Sequence, residues 1–467
     1  MDASPCKVRE IRIPVKCATK KAPCPTCGKL GVRKRKPLHR SVRSLAYQAV
    51  VYLDITYGEY RATCRCCKTF RNNPADILPK CHYDNKVREA VLNRILGDAM
   101  SVEAVLRAMQ RDFLLDLSTG FVYDCLEQEV RRLNLGSHRQ LVLERFSGTL
   151  CVDELHLGRY TLLLATDPLR DLPVAFALVA ANDHDHMRRF LKNLANWGLS
   201  PRVVVTDGSN LYPAVLAEVW PDAAHQLCIF HVLQDINKKI LDEVRRLRGE
   251  LARRGQAGRR RRGRQGRAQK ARQRRRGPTA KEKAHFVFKH RHLIVMRREG
   301  LTARQGKDLT QMLEYLPELW PLRQFADEVY GLFRDRQSPH RAWCLRARLL
   351  GDPAYQAFPG LVAAMAMLER AKFAKMIAFL KSPARQRVRT NNHVERANRK
   401  LRYFEKVRYK WRRRRTLVRF LVLAMDRWWG EVRARDLDSQ AEPAAGVRSP
   451  TACPSHQRSP RRRKPSG

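Results

Sequence analysis

Acidic residues are scarce in this sequence. Across 467 residues, Asp and Glu number 45 against 93 Lys and Arg, a formal net charge of +48. A chain so charged repels itself unless a polyanion offsets the field, and nucleic acid is the natural polyanion, because each neutralised phosphate releases counterions. Long apolar runs are also missing: the longest, such as Leu172 to Ala181, fall far short of the roughly 20 residues that span a bilayer. No amphipathic anchor or lipidation signal is present, so a membrane-surface protein is excluded. The N-terminus, MDASPCKVRE, has no hydrophobic signal region. Thirteen cysteines, an odd number in a chain without an export signal, point to reduced thiols and metal binding, not a disulfide framework. The expectation is a cytoplasmic nucleic-acid protein of about three domains.

What is present is modular. Residues 1–84 hold two CxxC knuckles, Cys24 with Cys27 and Cys64 with Cys67, across a strand-like spacer from Ala46 to Tyr60. Four thiolates in this spacing predict a zinc ribbon in which the metal closes a module too thin to fold on its core alone. Cys66 lies between two of these ligands and is able to replace either. Residues 85–146 change to a helical period. Val87, Val91 and Ile95 mark one helix, Ser101 caps a second, and Ser118 caps a third that runs from Thr119 to Leu133. Three short helices fit a helix-turn-helix whose last helix enters a major groove, or a plain helical spacer. Glu127 and Glu129 make that last helix less basic than a groove reader usually is.

Over residues 147–240 the period becomes that of strands. Thr149–Leu157, Tyr160–Thr166 and Pro173–Ala180 predict an antiparallel meander, followed by a helix, the strand Arg202–Thr206, a second helix and the strand Ala224–Phe230. This is the element order of a ribonuclease-H-like domain, which would lay the fourth strand beside the first. Asp153 interrupts an apolar strand, and Asp207 ends the fourth one. A lone carboxylate buried there is costly unless paired or metal-bound. Glu154 alternates to the other face of its strand and is not an equivalent candidate. Asp167, Asp171, Asp183 and Asp185 fall in or beside turns, where solvated acids need no special role.

Residues 241–388 form a long insertion. Between Glu250 and Glu282 it contains no acid, only an Arg/Gly/Gln tract that cannot build a core and suits contact with phosphate. Beyond the tract the insertion is predominantly helical. Residues 389–434 return with RTNNHVERANRKL, which places Asn391, Glu395, Asn398 and Arg402 on one helix face. Glu395 is either a salt-bridging residue of a solvated helix or a divalent-cation ligand partnered by Asp153 and Asp207. Leu417, Leu421, Ala424 and Trp428 follow as a core-facing stripe, and the aromatics Tyr403, Phe404, Tyr409 and Trp411 are read as packing. Residues 435–467 read as a basic tail.

The order of these motifs, from the cysteine knuckles through Val152-Asp153-Glu154, Thr206-Asp207 and Cys228-Ile-Phe-His231-Val232 to Thr390-Asn391-Asn392-His393-Val394-Glu395-Arg396-Ala397-Asn398, resembles bacterial insertion-sequence transposases of the ISL-three, acidic-triad group. The resemblance runs from about Cys24 to Trp429. It implies an α/β fold: a ribonuclease-H-like catalytic core with a helical insertion, preceded by a small zinc ribbon and a helix-turn-helix module. It also implies a catalytic triad of Asp153, Asp207 and Glu395 holding Mg2+ or Mn2+, besides structural Zn2+ at Cys24, Cys27, Cys64 and Cys67. Cys228, His231, Asn391, Asn392, Asn398 and Arg399 would support the site, although His231 is equally readable as a satisfied histidine at a strand–helix junction. The implied partners are double-stranded DNA, as terminal inverted repeats and target, and further copies of the chain in a dimer or larger assembly on DNA. A nucleoid-associated enzyme performing strand cleavage and transfer is the expectation. The alternative is a non-catalytic DNA-binding regulator or domesticated remnant.

Overall fold

The computed structural model describes residues 9–72, 74, 77, 81–260, 277–407 and 413–441. Most of the arginine-rich tract, Tyr409, Lys410, Trp411 and all but the start of the basic tail lie outside the described residues.

The N-terminal module is two sheets, not one. Strands β1 (Arg9–Lys16), β2 (Lys21–Pro23), β3 (Leu30–Arg33), β4 (Leu38–Ser44), β5 (Ala49–Tyr57), β6 (Glu59–Arg61) and β7 (Thr69–Arg71) divide into a three-stranded sheet β1-β5-β4 and a four-stranded sheet β2-β3-β6-β7. The spacer expected to belong to the ribbon therefore builds the separate sheet: β5 pairs in parallel with β1 and antiparallel with β4. This explains a spacer longer than a compact ribbon requires. Only β2, β3, β6 and β7 carry the knuckles, around a small core of Ala22, Cys24, Tyr60 and Phe70.

Four helices follow: α1 (Asn85–Leu96), α2 (Val102–Phe113), α3 (Thr119–Arg132) and α4 (Leu135–Arg145). Asp84, Ser101 and Ser118 each accept an N–H of the first turn, so the polar residue before each apolar run starts the helix. The fourth helix was not anticipated; Asn134 caps it. The acids of α3 have a structural task. Glu127 faces Arg131, Arg415 and Arg419, and so ties α3 to the C-terminal helix.

The central sheet comprises β8 (Thr149–Leu157), β9 (Tyr160–Asp167), β10 (Leu172–Val179), β11 (Val203–Thr206) and β12 (Ala224–Leu227), with α5 (His184–Asn196) and α6 (Tyr212–Val219) between its later strands. Its order is β10-β9-β8-β11-β12, with β8 antiparallel to β9 and parallel to β11. This is the ribonuclease-H-like arrangement. Both faces are covered, which is why β8 reads as a nearly continuous apolar run. Leu150 and Val152 pack towards α5 and α6, while Cys151 and Leu155 pack towards the C-terminal helices.

From β12 the chain enters α7 (Ile229–Arg260). After it come α8 (Ala280–His290), α9 (Ala303–Tyr315), α10 (Trp320–Gly331), α11 (Pro339–Gly351), α12 (Pro353–Gln356), α13 (Pro359–Ala366) and α14 (Arg370–Met376). They share one apolar core with α7. Helices α7 and α13 approach so closely that a Cβ on Gly360 would sit 2.7 Å from Glu243 Cβ and 2.8 Å from Lys239 O. The contact is locked where the Gly360 amide donates to buried Glu243, at 2.9 Å. The chain returns as α15 (Asn392–Val407) and α16 (Arg414–Ala441). Leu417 and Leu421 of the expected stripe are buried, joined by Phe420 and Trp429. No helix among the described residues is long and apolar enough to cross a membrane.

One buried amide fastens the insertion to the sheet. Gln226 of β12 is fully buried, accepts from Phe379 N at 2.7 Å and donates to Met376 O at 3.0 Å. Gln226→Leu would leave both backbone groups unsatisfied in an apolar setting, costing about 2–5 kcal/mol. The expected result in scanning calorimetry is a melting temperature lower by several degrees, with room-temperature circular dichroism unchanged.

Candidate active site

The first two aspartates meet because of strand register. Pairing of β8 with β11 ends at Cys151 opposite Val205, two residues short of both Asp153 and Asp207. Continued in parallel register, the two aspartates stand side by side where the strands part. Ser209 N donates to Asp207 Oδ1 at 2.9 Å and fixes the turn into α6.

The strand alternation does put Glu154 on the opposite face, yet its carboxylate is not remote. Asp153, Glu154 and Asp207 each offer an oxygen within 4.8 Å of the others. Asp207 lies at the strand end, where the sheet no longer separates its two faces, and both neighbours reach it. Glu154 thus keeps the opposite face that alternation gives it and still comes close to Asp207.

The segment before α15 is held by three contacts. Ile229 N donates to Arg389 O at 2.9 Å, Asn391 N donates to the Cys228 thiol at 3.3 Å, and the Asn391 side-chain amide donates to Val152 O at 3.0 Å. Asn391 thus lies at the helix cap and is fully buried, one residue from Asp153 on the neighbouring strand. Val394, Ala397 and Leu401 bury the inner face of α15 against the sheet. Asn398, one turn beyond Glu395, donates to Asp153 Oδ2 at 2.8 Å.

Glu395 itself groups with Cys228 and His231, whose ligand atoms all lie within 4.8 Å of one another. His231 Nδ1 is 3.8 Å from Glu395 Oε1, too long for a hydrogen bond. The His231 pKa is raised to about 9, first by the Cys228 thiol and then, against burial, by the Glu395 and Asp207 carboxylates. His231 therefore senses acids from both halves of the site. Asp153 is pushed up to about 7 by burial, with Glu154 and Asp207 adding and the Asn398 amide opposing. Burial likewise raises Glu154.

These groups fit divalent cations. Glu154 Oε1, His231 Nδ1, Asn391 Oδ1, Glu395 Oε1 and Asn398 Oδ1 are all buried without a hydrogen-bond partner. Unsatisfied buried polar atoms are rare and costly; here Glu154 belongs to the cluster with Asp153 and Asp207, Glu395 and His231 to the cluster with Cys228, and Asn398 bonds Asp153. Hard carboxylate and amide oxygens suit Mg2+ or Mn2+.

A second ligand cluster lies in the N-terminal ribbon. The mutually close sulfurs are those of Cys24, Cys27, Cys64 and Cys66, whereas the expected fourth ligand was Cys67. Cys67 is nonetheless near, with its Sγ 3.7 Å from that of Cys24. Gly28, at φ +73°, makes the turn beneath the first knuckle. Backbone N–H groups of Thr26 and Cys27 lower Cys24 to about 6. The adjoining thiols, Cys27 first, push Cys66 up to about 12, and burial raises Cys67 to about 11. Thiols that suppress one another's ionisation in this way fit a cation that would reverse the effect.

Other expected residues lie elsewhere. Asn392 and Arg399 are exposed on α15 and make no side-chain hydrogen bond or ion pair among the described residues. Two turn aspartates read as merely solvated carry structure instead. Asp167 is buried and accepts from Ser147 N, Ser147 Oγ, Leu169 N and Arg170 N. Asp171 bonds buried His393 at 2.8 Å and Arg435 at 2.7 Å, while His393 also meets Thr166 Oγ1 at 2.9 Å. The helix bearing Glu395 is thereby tied to the β9–β10 turn. Nothing local in the sequence marks this tie, because its partners are more than 200 residues apart.

No curated protein matches this chain. A family model described as "Transposase", that of the ISL-three DDE group, matches residues 150–417, over half of the chain and all of the strands and helices that bring the acidic residues together. With that match and this site, the chain belongs to the ISL-three family of transposases, DNA-cleaving enzymes of insertion sequences.

Proposed function

We infer that this protein binds the terminal inverted repeats of an insertion sequence and cuts and rejoins DNA with Asp153, Asp207 and Glu395 as its catalytic carboxylates. The observation that carries this reading is the convergence of both strand-end aspartates with the Glu395 helix, joined by the Asn398–Asp153 hydrogen bond and ringed by unpartnered polar atoms. Mg2+ or Mn2+ held by the three carboxylates would polarise the scissile phosphodiester and lower the pKa of the attacking water. Glu154 lies close enough to Asp153 and Asp207 to serve the same cations.

The chain's own residues do the positioning. Asn398 and Asn391 orient Asp153 and the strand that bears it, and Cys228 seats the segment leading to Glu395. His231, cationic at neutral pH, balances charge between Glu395 and Asp207. Water attacks a phosphodiester at the element's end, the P–O3′ bond breaks, and a 3′ hydroxyl is freed. That hydroxyl then attacks a target phosphodiester, with one P–O bond formed for each one broken. Structural Zn2+ on Cys24, Cys27, Cys64 and Cys66 would hold the ribbon, and the basic N-terminal modules would hold the ends, in an assembly of two or more chains.

Incubated with Mg2+ and the DNA flanking its reading frame, the protein is expected to nick or cut at the element ends. Asp153→Ala, Asp207→Ala and Glu395→Ala should each bind the ends normally and lose cleavage by at least about 10³-fold. Cleavage persisting in the Glu395 variant would overturn the assignment, and loss of cleavage without loss of binding would exclude a purely regulatory protein.

The raised Asp153 pKa has a thermodynamic consequence. Its folded value, about 7, lies above the unfolded carboxylate value. Metal-free protein therefore gains stability from this group at acidic pH and loses it as pH rises from about 4 to 7, by up to roughly 4 kcal/mol. Cation binding competes with that proton. Mg2+ should raise the melting temperature clearly at pH 8 and little at pH 5, and Asp153→Asn should abolish the difference.

Elemental analysis should find one zinc per chain. Cys64→Ser and Cys66→Ser are expected to lose it, and Cys67→Ser to retain it; the opposite pattern for the last two would restore Cys67 as ligand.

A further inference from the structure

The insertion carries a feature that the acidic site does not use. A recess of about 400 Å3 opens beside the loop between α10 and α11, and is lined by Arg334, Arg336, Arg341 and Arg348 together with Asp327 and Glu328. Its two acids are already engaged. Asp327 binds Arg323 at 2.6 Å and Arg298 at 2.7 Å, and Glu328 sits 3.6 Å from Arg348. Arg334, Arg336 and Arg341 are exposed and form no ion pair or side-chain hydrogen bond among the described residues. Other basic side chains of the insertion do find acids, as Arg245 finds Asp242 and Arg246 finds Glu243 and Glu250. Three unpartnered guanidiniums around one concavity focus a positive field, and their planar forks match phosphate oxygens.

The position of the recess connects it to the chemistry. Its loop is bonded to the segment that delivers Glu395: Arg389 donates to Phe333 O at 3.0 Å and pairs with Asp335 at 3.0 Å. Two residues later, Asn391 contacts Val152 beside Asp153. Two residues of chain span at most roughly 7 Å. The loop that rims the recess is thus bonded to the same short segment of chain that reaches Val152 beside Asp153. We propose that this recess grips the phosphodiester backbone of the DNA substrate where it enters or leaves the acidic site, so that the insertion is a second DNA-contacting wall as well as a spacer. The proposal rests on the reading of the chain as a DNA-cutting enzyme.

The test uses the full, zinc-loaded chain and a fluorescent duplex about 40 base pairs long of arbitrary sequence, with Kd measured against NaCl concentration. The triple variant Arg334→Gln, Arg336→Gln, Arg341→Gln is expected to weaken binding about 10–100-fold at low salt and to flatten the slope of log K on log salt by roughly 2–3. A control triple elsewhere on the insertion, Arg304→Gln, Lys307→Gln, Lys372→Gln, should change the slope by less than about 1. Should the recess triple prove unstable, Arg334→Gln alone is expected to lower the slope by about 1. An unchanged slope, or equal losses in the two triples, would overturn the proposal and leave the acidic site untouched. Failure of the unmodified protein to bind duplex DNA at all would instead overturn the reading on which it rests.

Discussion

The candidate active site depends on one hydrogen bond between residues far apart in the sequence. Asn398 donates to Asp153 over 245 residues of sequence, at 2.8 Å. It joins a helix that returns late in the chain to a strand laid down early, and everything between must be rigid enough to keep that distance. The rigidity is visible at the seams. Gln226 binds the end of the insertion to the edge strand, Ile229 pairs with Arg389, and the Cys228 thiol receives the Asn391 amide. Each seam lies within a few residues of a carboxylate or its support. The insertion is therefore closed at its mouth, where precision matters.

Charge explains why so few acids do so much. Against a net +48, a carboxylate is readily matched by a nearby arginine, as at Glu127, Glu243 and Asp327. Asp153, Glu154 and Asp207 are different. They have no arginine or lysine partner among the described residues and stand close to one another, so burial and mutual repulsion raise the pKa of Asp153. In so basic a chain, acids without a cation of the protein are chemically suited to hold one from solution. His231 stands nearby, its pKa raised first by the Cys228 thiol and then by the Glu395 and Asp207 carboxylates.

Much of this was legible in the sequence where the signal is local. The first strand of the core was read to the residue, because an apolar run between turns has little else to become. Asp153 stood out because a charge inside such a run is expensive, and the helix around Glu395 because amides and an acid recur at helical spacing. What was missed depends on partners distant in sequence. Period-two alternation puts Glu154 on the face opposite Asp153 but does not show that β11 ends beside it, which leaves Asp207 within reach of both. Asp167 and Asp171 look like ordinary turn acids until Ser147 and His393 fold onto them. Spacing alone does not separate Cys66 from Cys67. Nor does it show that the segment between the knuckles leaves the ribbon to pair with a strand preceding both.

The insertion shows why a long detour between Asp207 and Glu395 is tolerable. The entropy of closing a loop grows only slowly with its length, whereas disorder at the loop's ends would blur the site directly. A detour that folds on its own core, as these helices do around α7, transmits almost none of its length to its ends. The Glu243–Gly360 contact illustrates the point: an acid on the outgoing helix caps a helix on the way back, which makes departure and return parts of one body. A body of that kind does more than span a distance. Fixed beside the acidic site through Arg389, it presents whatever its surface carries at a constant position relative to the carboxylates, and what it carries there is arginine.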